Sequence, residues 1–203
     1  MVPLMERKLL RLFVRLIETF LKNKERVHIA LAGGKTPMTF YRMLSLECLP
    51  WERLYFYLTD ERFVPLNSPQ SNYKNIQENL GAKAKIIYVN TELPLKDACV
   101  DYSQKLPQSL DVCLLGVGED GHTASLFPNS PCLAITPKVC TSVAPDGTQR
   151  VSLSYQYLNS SCVVVFALKG EEKRKVYEKL LRGEDIPASK VKGKRKTFII
   201  YST

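Results

Sequence analysis

Leu114-Leu115-Gly116-Val117-Gly118-Glu119-Asp120-Gly121-His122-Thr123-Ala124-Ser125-Leu126-Phe127-Pro128 joins the end of an apolar run to a glycine-rich turn and then to polar side chains. Cys113, Leu114 and Leu115 suit the close of a buried strand. Gly116, Gly118 and Gly121 allow backbone angles and close approaches that a Cβ forbids. In open α/β sheets, turns at the carboxyl ends of strands border the ligand crevice, so Asp120 and His122 are expected at its mouth. The chain has two histidines; the other, His28, falls inside the first apolar strand and is expected to be buried. The residues alone leave a second reading open, an ordinary tight turn with a solvated histidine beside it.

Working outward, short runs rich in branched and aromatic residues read as strands at Val27 to Ala32, Leu54 to Leu58, Ile86 to Val89, Val112 to Leu115, Cys162 to Leu168 and Thr197 to Tyr201. Helical patterns run from about Glu6 to Lys22, Pro37 to Leu46, Asn72 to Leu80 and Glu171 to Leu181. Strands alternating with helices predict an α/β fold with a mostly parallel sheet. Continuous apolar strands such as Val163-Val164-Val165-Phe166 fit a sheet covered by helices on both faces.

A chain of 203 residues, 45% hydrophobic and 24% charged, can bury one good core, and residues 1–203 are expected to form a single domain. The apolar positions between Leu9 and Leu21 are interrupted by Arg11, Arg15 and Glu18 at helical spacing, which marks an amphipathic helix rather than a leader or a membrane span. No membrane partner is expected. The six cysteines form no C-x-x-C pair and no histidine-adjacent cluster, favouring a reducing cytoplasm over a disulfide scaffold and giving no support for a metal site; Cys113 and Cys162 read as small core residues. The net charge of +9 points to an anionic partner. Lys190, Lys192, Lys194, Arg195 and Lys196 cluster near the C-terminus, but without interleaved aromatics or a recognition motif, so they read as a solvated loop and no nucleic acid is expected.

Three further clusters follow strands. Gly33-Gly34-Lys35-Thr36-Pro37 offers backbone N–H groups and a helix start to an oxyanion, without the spacing of a P-loop or a dinucleotide fingerprint. Asp60-Glu61-Arg62, with Ser71-Asn72-Tyr73 downstream, could grip a phosphate through Arg62 and a sugar hydroxyl through Asp60. Lys169-Gly170-Glu171-Glu172-Lys173 puts Lys173 in the first turn of a helix, where a cation is disfavoured unless an anion lies nearby. Taken singly, each also reads as a plain turn, a surface ion cluster or a harmless helical lysine.

Together these segments resemble the 6-phosphogluconolactonase family. Its marks are a Gly-Gly-Ser-Thr-Pro-like loop, an Asp-Glu-Arg-x-Val-Pro segment followed by Ser-Asn, and Gly-x-Asp-Gly-His-Thr-Ala-Ser-Leu-Phe-Pro, matched in full by Gly118 to Pro128. Arg150-Val151-Ser152-Leu153 looks like the family's Arg-Ile-Thr-Leu strand, and Gly170 with Lys173 and Pro187-Ala188-Ser189 add to the likeness. Two departures are Lys35, where the family has Ser, and termini that look short, with no strand before the first helix.

The resemblance implies the Rossmann-like fold of the sugar-phosphate isomerases and lactonases, with no dinucleotide. It further implies hydrolysis of 6-phosphoglucono-1,5-lactone in the oxidative pentose phosphate pathway, in the cytoplasm, with His122 as general base and Asp120 orienting it. Gly33, Gly34, Lys35, Thr36, Arg62, Arg150 and Lys173 are expected to bind the phosphate, and Asp60 to position the sugar or the arginine. No metal or organic cofactor is expected, since a lactone is an activated ester. The rival reading within the superfamily is a glucosamine-6-phosphate deaminase; there the motif continues Gly-His-Ile-Ala-Phe-Asn-Glu-Pro, so Thr123, Ser125, Leu126, Phe127 and Arg62 favour the lactonase. A catalytically silent sugar-phosphate binder is the second rival.

Overall fold

Leu9, Phe13 and Ile17 recur at one-turn spacing and are fully buried along α1 (Leu4–Leu21), while Arg7, Arg11 and Arg15 on its other side stay exposed. In this computed structural model residues 3–130, 132 and 137–203 are described. The chain continues through β1 (Val27–Leu31), α2 (Met38–Leu44), β2 (Leu54–Leu58), β3 (Asp60–Arg62), α3 (Asn72–Leu80), β4 (Lys85–Ile87), α4 (Leu95–Lys105) and β5 (Val112–Leu115). It ends with β6 (Val139–Val143), β7 (Gln149–Leu153), α5 (Tyr155–Leu158), β8 (Val163–Lys169), a 3-10 turn (Glu171–Lys173), α6 (Arg174–Arg182) and β9 (Lys196–Ser202).

Six strands form a parallel sheet in the order β4-β2-β1-β5-β8-β9. Consecutive residues Val163 to Leu168 are all buried, so both faces of β8 are covered, as the uninterrupted apolar run predicts. The strand order runs one way from β1 to β2 and the other way from β5 to β8. That reversal opens a crevice at the carboxyl ends of β1 and β5, where ligands of such sheets bind. A second, antiparallel sheet of order β3-β7-β6 stands beside it, with Arg62 opposite Arg150 and Asp60 opposite Ser152.

The strands of the parallel sheet and α3 follow the sequence pattern closely; β3, β6 and α5 have no counterpart in it, and four further features differ. Helix α4 has no counterpart in the sequence reading, because only Ala98 and Tyr102 are buried along it and the apolar stripe is thin. Tyr102 compensates by its hydroxyl, which donates to Leu58 O at 2.7 Å and accepts from Leu58 N at 2.8 Å, clamping α4 to the end of β2. The helix expected from Glu171 starts as a 3-10 turn, and α6 proper begins at Arg174. Cys132 and Cys140 are paired as a disulfide, against the expectation of no disulfide scaffold: their Cα atoms lie 5.8 Å apart, a proximity that spacing along the sequence does not reveal. The cysteine pattern therefore carries less weight as a mark of a reducing compartment. Finally, His28 is half-buried rather than buried, with Nδ1 2.9 Å from the Tyr57 hydroxyl, and desolvation lowers its pKa.

Cys113 is a core residue as expected, while Cys162 is only partly buried. Lys190, Lys192, Lys194, Arg195 and Lys196 are solvent-exposed. Among the described residues no helix is long and apolar enough to cross a membrane.

Candidate active site

The loop after β1 lays Gly33, Gly34, Thr36 and Pro37 along the wall of a cavity of about 490 Å³. A Cβ on Gly33 would overlap the Asn72 side chain, so only glycine lets this backbone pass so close to α3. Among the described residues no internal hydrogen bond takes up the backbone N–H of Gly33, Gly34, Lys35 or Thr36. Such donors beside a cavity suit an oxyanion. Lys35 departs from expectation: its side chain is exposed and lies outside the cavity lining, because the bend between Gly34 and Pro37 turns it to solvent.

The loop after β5 delivers His122 to the same cavity. Its Nδ1 lies 2.6 Å from Asp120 Oδ1, which also accepts from the His122 backbone N–H at 3.1 Å. Partial burial works against ionisation of Asp120, but these hydrogen bonds outweigh it and hold the carboxyl below its usual range. An ionised carboxylate only accepts, so the pair fixes the ring proton on Nδ1 and leaves the Nε2 lone pair free. Asp120 itself stands behind the ring, outside the cavity lining. Gly118 is indispensable to this packing, since a Cβ there would run into the His122 ring.

Thr123 Oγ1 donates to Gly116 O at 2.8 Å and ties the two arms of the turn. Ala124 sits at φ 49, a left-handed conformation rare outside glycine, stabilised by the Leu126 N–H donating to Thr123 O at 2.9 Å. Gly121 O accepts from Ala188 N at 2.9 Å, which gives Pro187-Ala188-Ser189 its place against the motif.

The three adjacent charges after β2 separate into three roles. Asp60 faces the cavity and accepts from Ser125 Oγ at 2.6 Å, joining the β2 loop to the histidine loop. Glu61 turns the other way and is buried: its oxygens accept from the backbone N–H of Arg62 and Asn72 at 2.7 Å and of Tyr73 at 2.8 Å, capping α3. Desolvation raises its pKa against those hydrogen bonds. Glu61→Gln removes the buried charge but sets an amide donor against one of these N–H groups. A destabilisation of about 1–3 kcal/mol is expected, checked by thermal unfolding; a variant as stable as the parent would show that the cap is dispensable.

Arg62 points into the cavity and donates through Nη1 to Gln70 O at 2.9 Å and Asn72 Oδ1 at 2.7 Å. Directly across the antiparallel ladder stands Arg150, 9% exposed, its Nε buried without a partner and its Nη2 3.8 Å from Asp146 Oδ2. Burial, and then the Arg62 charge, lower the Arg150 pKa. Like charges held opposite one another on two strands are unfavourable unless an anion sits between them.

One cavity therefore gathers Gly33, Gly34, Thr36, Asp60, Arg62, His122, Arg150 and Lys173, with Asp120 one hydrogen bond behind; only Lys35 is turned away. The sequence reading omitted Asn72, Ser125, Asp146 and Lys169 as site residues, all in the lining. Asn72 and Ser125 lay within quoted motifs and Lys169 beside one, whereas Asp146, in a plain Pro145-Asp146-Gly147 turn, gave no signal. Among the described residues no group of three or more His, Cys, Asp or Glu side chains is arranged to hold a metal ion.

Residues 4–200 match the family of glucosamine-6-phosphate isomerases and 6-phosphogluconolactonase. The chain belongs to this family. It is 38% identical over 192 residues to the 6-phosphogluconolactonase of Thermotoga maritima, covering 89% of this chain and 86% of that one. The crystal structure of the Thermotoga maritima 6-phosphogluconolactonase superposes with a TM-score of 0.93 at 32% identity, covering 100% of this chain and 97% of that one. The 6-phosphogluconolactonase of Neisseria meningitidis is 34% identical over 181 residues, 81% of this chain and 78% of its own. Within the glucosamine-6-phosphate isomerase and 6-phosphogluconolactonase family, an α/β fold built on a mostly parallel sheet is thus established for this chain.

Proposed function

We propose that the protein hydrolyses the ring ester of 6-phospho-D-glucono-1,5-lactone to 6-phosphogluconate, the lactone step of the oxidative pentose phosphate pathway, in the cytoplasm. The observation that carries this reading is the pairing of two unlike features in one cavity. A histidine with a free Nε2 is backed by a carboxylate, and two arginines face each other with the buried Nε of one unpartnered. The first feature suits proton abstraction from water; the second suits a phosphate dianion. The names of the relatives supply the substrate that has both a hydrolysable ester and a phosphate.

In this mechanism His122 Nε2 takes a proton from a water molecule as its oxygen attacks the lactone carbonyl. The protonated ring then returns the proton to the departing ring oxygen as the C–O bond breaks. Asp120 holds the tautomer and stabilises the transient imidazolium. Arg62, Arg150, Lys173 and the backbone N–H groups of Gly33, Gly34, Lys35 and Thr36 bind the phosphate. Asp60, braced by Ser125, positions a sugar hydroxyl or Arg62.

The test sets the two activities of the family side by side. Purified protein is expected to accelerate acid release from 6-phosphogluconolactone and to release no ammonia from glucosamine 6-phosphate. Ammonia release without lactone hydrolysis would assign the site to deamination, and neither activity, with 6-phosphogluconate still bound, would make it a silent binder.

A further inference from the structure

Lys169 ends β8 at the wall of the cavity that also holds Lys173. Its ammonium donates to Glu6 Oε1 at 2.8 Å. Glu6 lies in the first turn of α1, is 0% exposed, and its second oxygen is buried without a hydrogen-bond partner. Holding a carboxylate there is costly; the N-terminal end of α1 and the Lys169 charge offset that cost. If the only task were to fasten α1 to β8, apolar side chains would do it without burying a charge.

The Lys169 side chain is 41% exposed, and an ammonium carries three donors. Glu6 engages one of them, and among the described residues no other side-chain acceptor engages Lys169. The arrangement is a lysine whose long chain is pinned at its tip while donors remain for a ligand, so less side-chain freedom is lost on binding. Lys173, four positions on, lines the same wall and makes no side-chain hydrogen bond or ion pair among the described residues. Arg62 and Arg150 approach from the other side, on β3 and β7, so the crevice between β1 and β5 is flanked by cations on both sides.

We propose that Lys169 is a further substrate-binding residue, contacting the phosphate together with Lys173, and that Glu6 is the positioning residue that aims it. This rests on the reading of the cavity as a sugar-phosphate site. It goes beyond that reading by giving a binding role to a lysine outside the motif residues and a positioning role to a buried carboxylate on α1.

The test measures KM and kcat on phosphorylated and unphosphorylated gluconolactone for the native protein, Lys169→Met and Glu6→Gln, with calorimetric binding of 6-phosphogluconate and thermal unfolding of each. Lys169→Met is expected to raise KM for the phosphorylated lactone and the Kd for 6-phosphogluconate about tenfold, the order of one charge-assisted hydrogen bond. The unphosphorylated lactone is expected to be unaffected, and kcat to change by no more than about twofold. Glu6→Gln is expected to move KM and Kd in the same direction by a smaller factor. Lys169→Gln, which can still hydrogen-bond to Glu6, serves if the methionine variant does not fold, with the same expected rise. Variants that lose thermal stability but keep native KM, Kd and preference for the phosphorylated lactone would overturn the proposal and leave the pair an architectural link. Failure of the native protein to hydrolyse the lactone would overturn the proposed function instead, while the calorimetric comparison would still decide the role of Lys169. No binding of 6-phosphogluconate by the native protein would overturn both.

Discussion

Replacing His122 by Asn is expected to lower kcat for 6-phosphogluconolactone by about 10² to 10⁴, the usual contribution of a positioned base. The fold and the affinity for 6-phosphogluconate are expected to persist. The His122 side chain is 32% exposed, among the described residues its ring hydrogen-bonds only to the exposed Asp120 carboxylate, and the cations lining the cavity are on other elements. A loss confined to kcat is the signature of a group acting only in the transition state. The native rate is also expected to fall at acid pH, where Asp120 becomes protonated and no longer holds the ring proton on Nδ1. The sign for Asp120 is consistent: its pKa is lowered, so its ionised form, and with it the Nδ1 tautomer, is lost only when pH falls through that depressed value. A folded His122→Asn protein turning over lactone near the native rate would remove His122 from the mechanism and make Asp120 the leading base.

Arg62→Ala and Lys173→Ala are each expected to lower kcat/KM for the phosphorylated lactone roughly ten- to a hundredfold, from the loss of a contact worth about 1.5–3 kcal/mol. The unphosphorylated lactone should be far less affected. Arg62 carries the more complex change, because its guanidinium is steered by Asn72 and Gln70, and its removal also relieves the repulsion on Arg150. Parallel kinetics on the two lactones check this. Equal losses on both would show that these side chains do not read the phosphate.

The parallel sheet was legible because its strands are continuous apolar runs, Val112 to Leu115 and Val163 to Leu168 above all, and strands buried on both faces need that composition. Helix α3 spans Asn72–Leu80 as its pattern predicts, and the structure shows its ends, the Ser71 hydroxyl accepting from Lys74 N and Gly81 at φ 88. The second sheet was harder to see: β3 is three residues long and reads as a charge cluster, and β7 entered only through a family likeness. Helix α4 escaped because its anchor is the Tyr102 hydroxyl, a polar contact that hydrophobic spacing does not register.

Residues that act along the chain were visible in the sequence, such as Asp120 beside His122. Residues that act across it were not. Asn72 beneath Gly33, and Glu6 with Lys169, 163 positions apart, become neighbours only when α3 and α1 close around the crevice. Glu61, given no role in the sequence, is turned by the pleat of β3 to cap α3, while Asp60 and Arg62 on either side of it face the cavity as expected of them.

The measurement that bears most directly on the central claim is the initial rate of 6-phosphogluconolactone disappearance, above its spontaneous hydrolysis, for native and His122→Asn protein at equal concentration and neutral pH. A large enzymatic rate for the native protein that falls by about 10² or more in the variant is the expected result. A native rate indistinguishable from the spontaneous background would contradict the account.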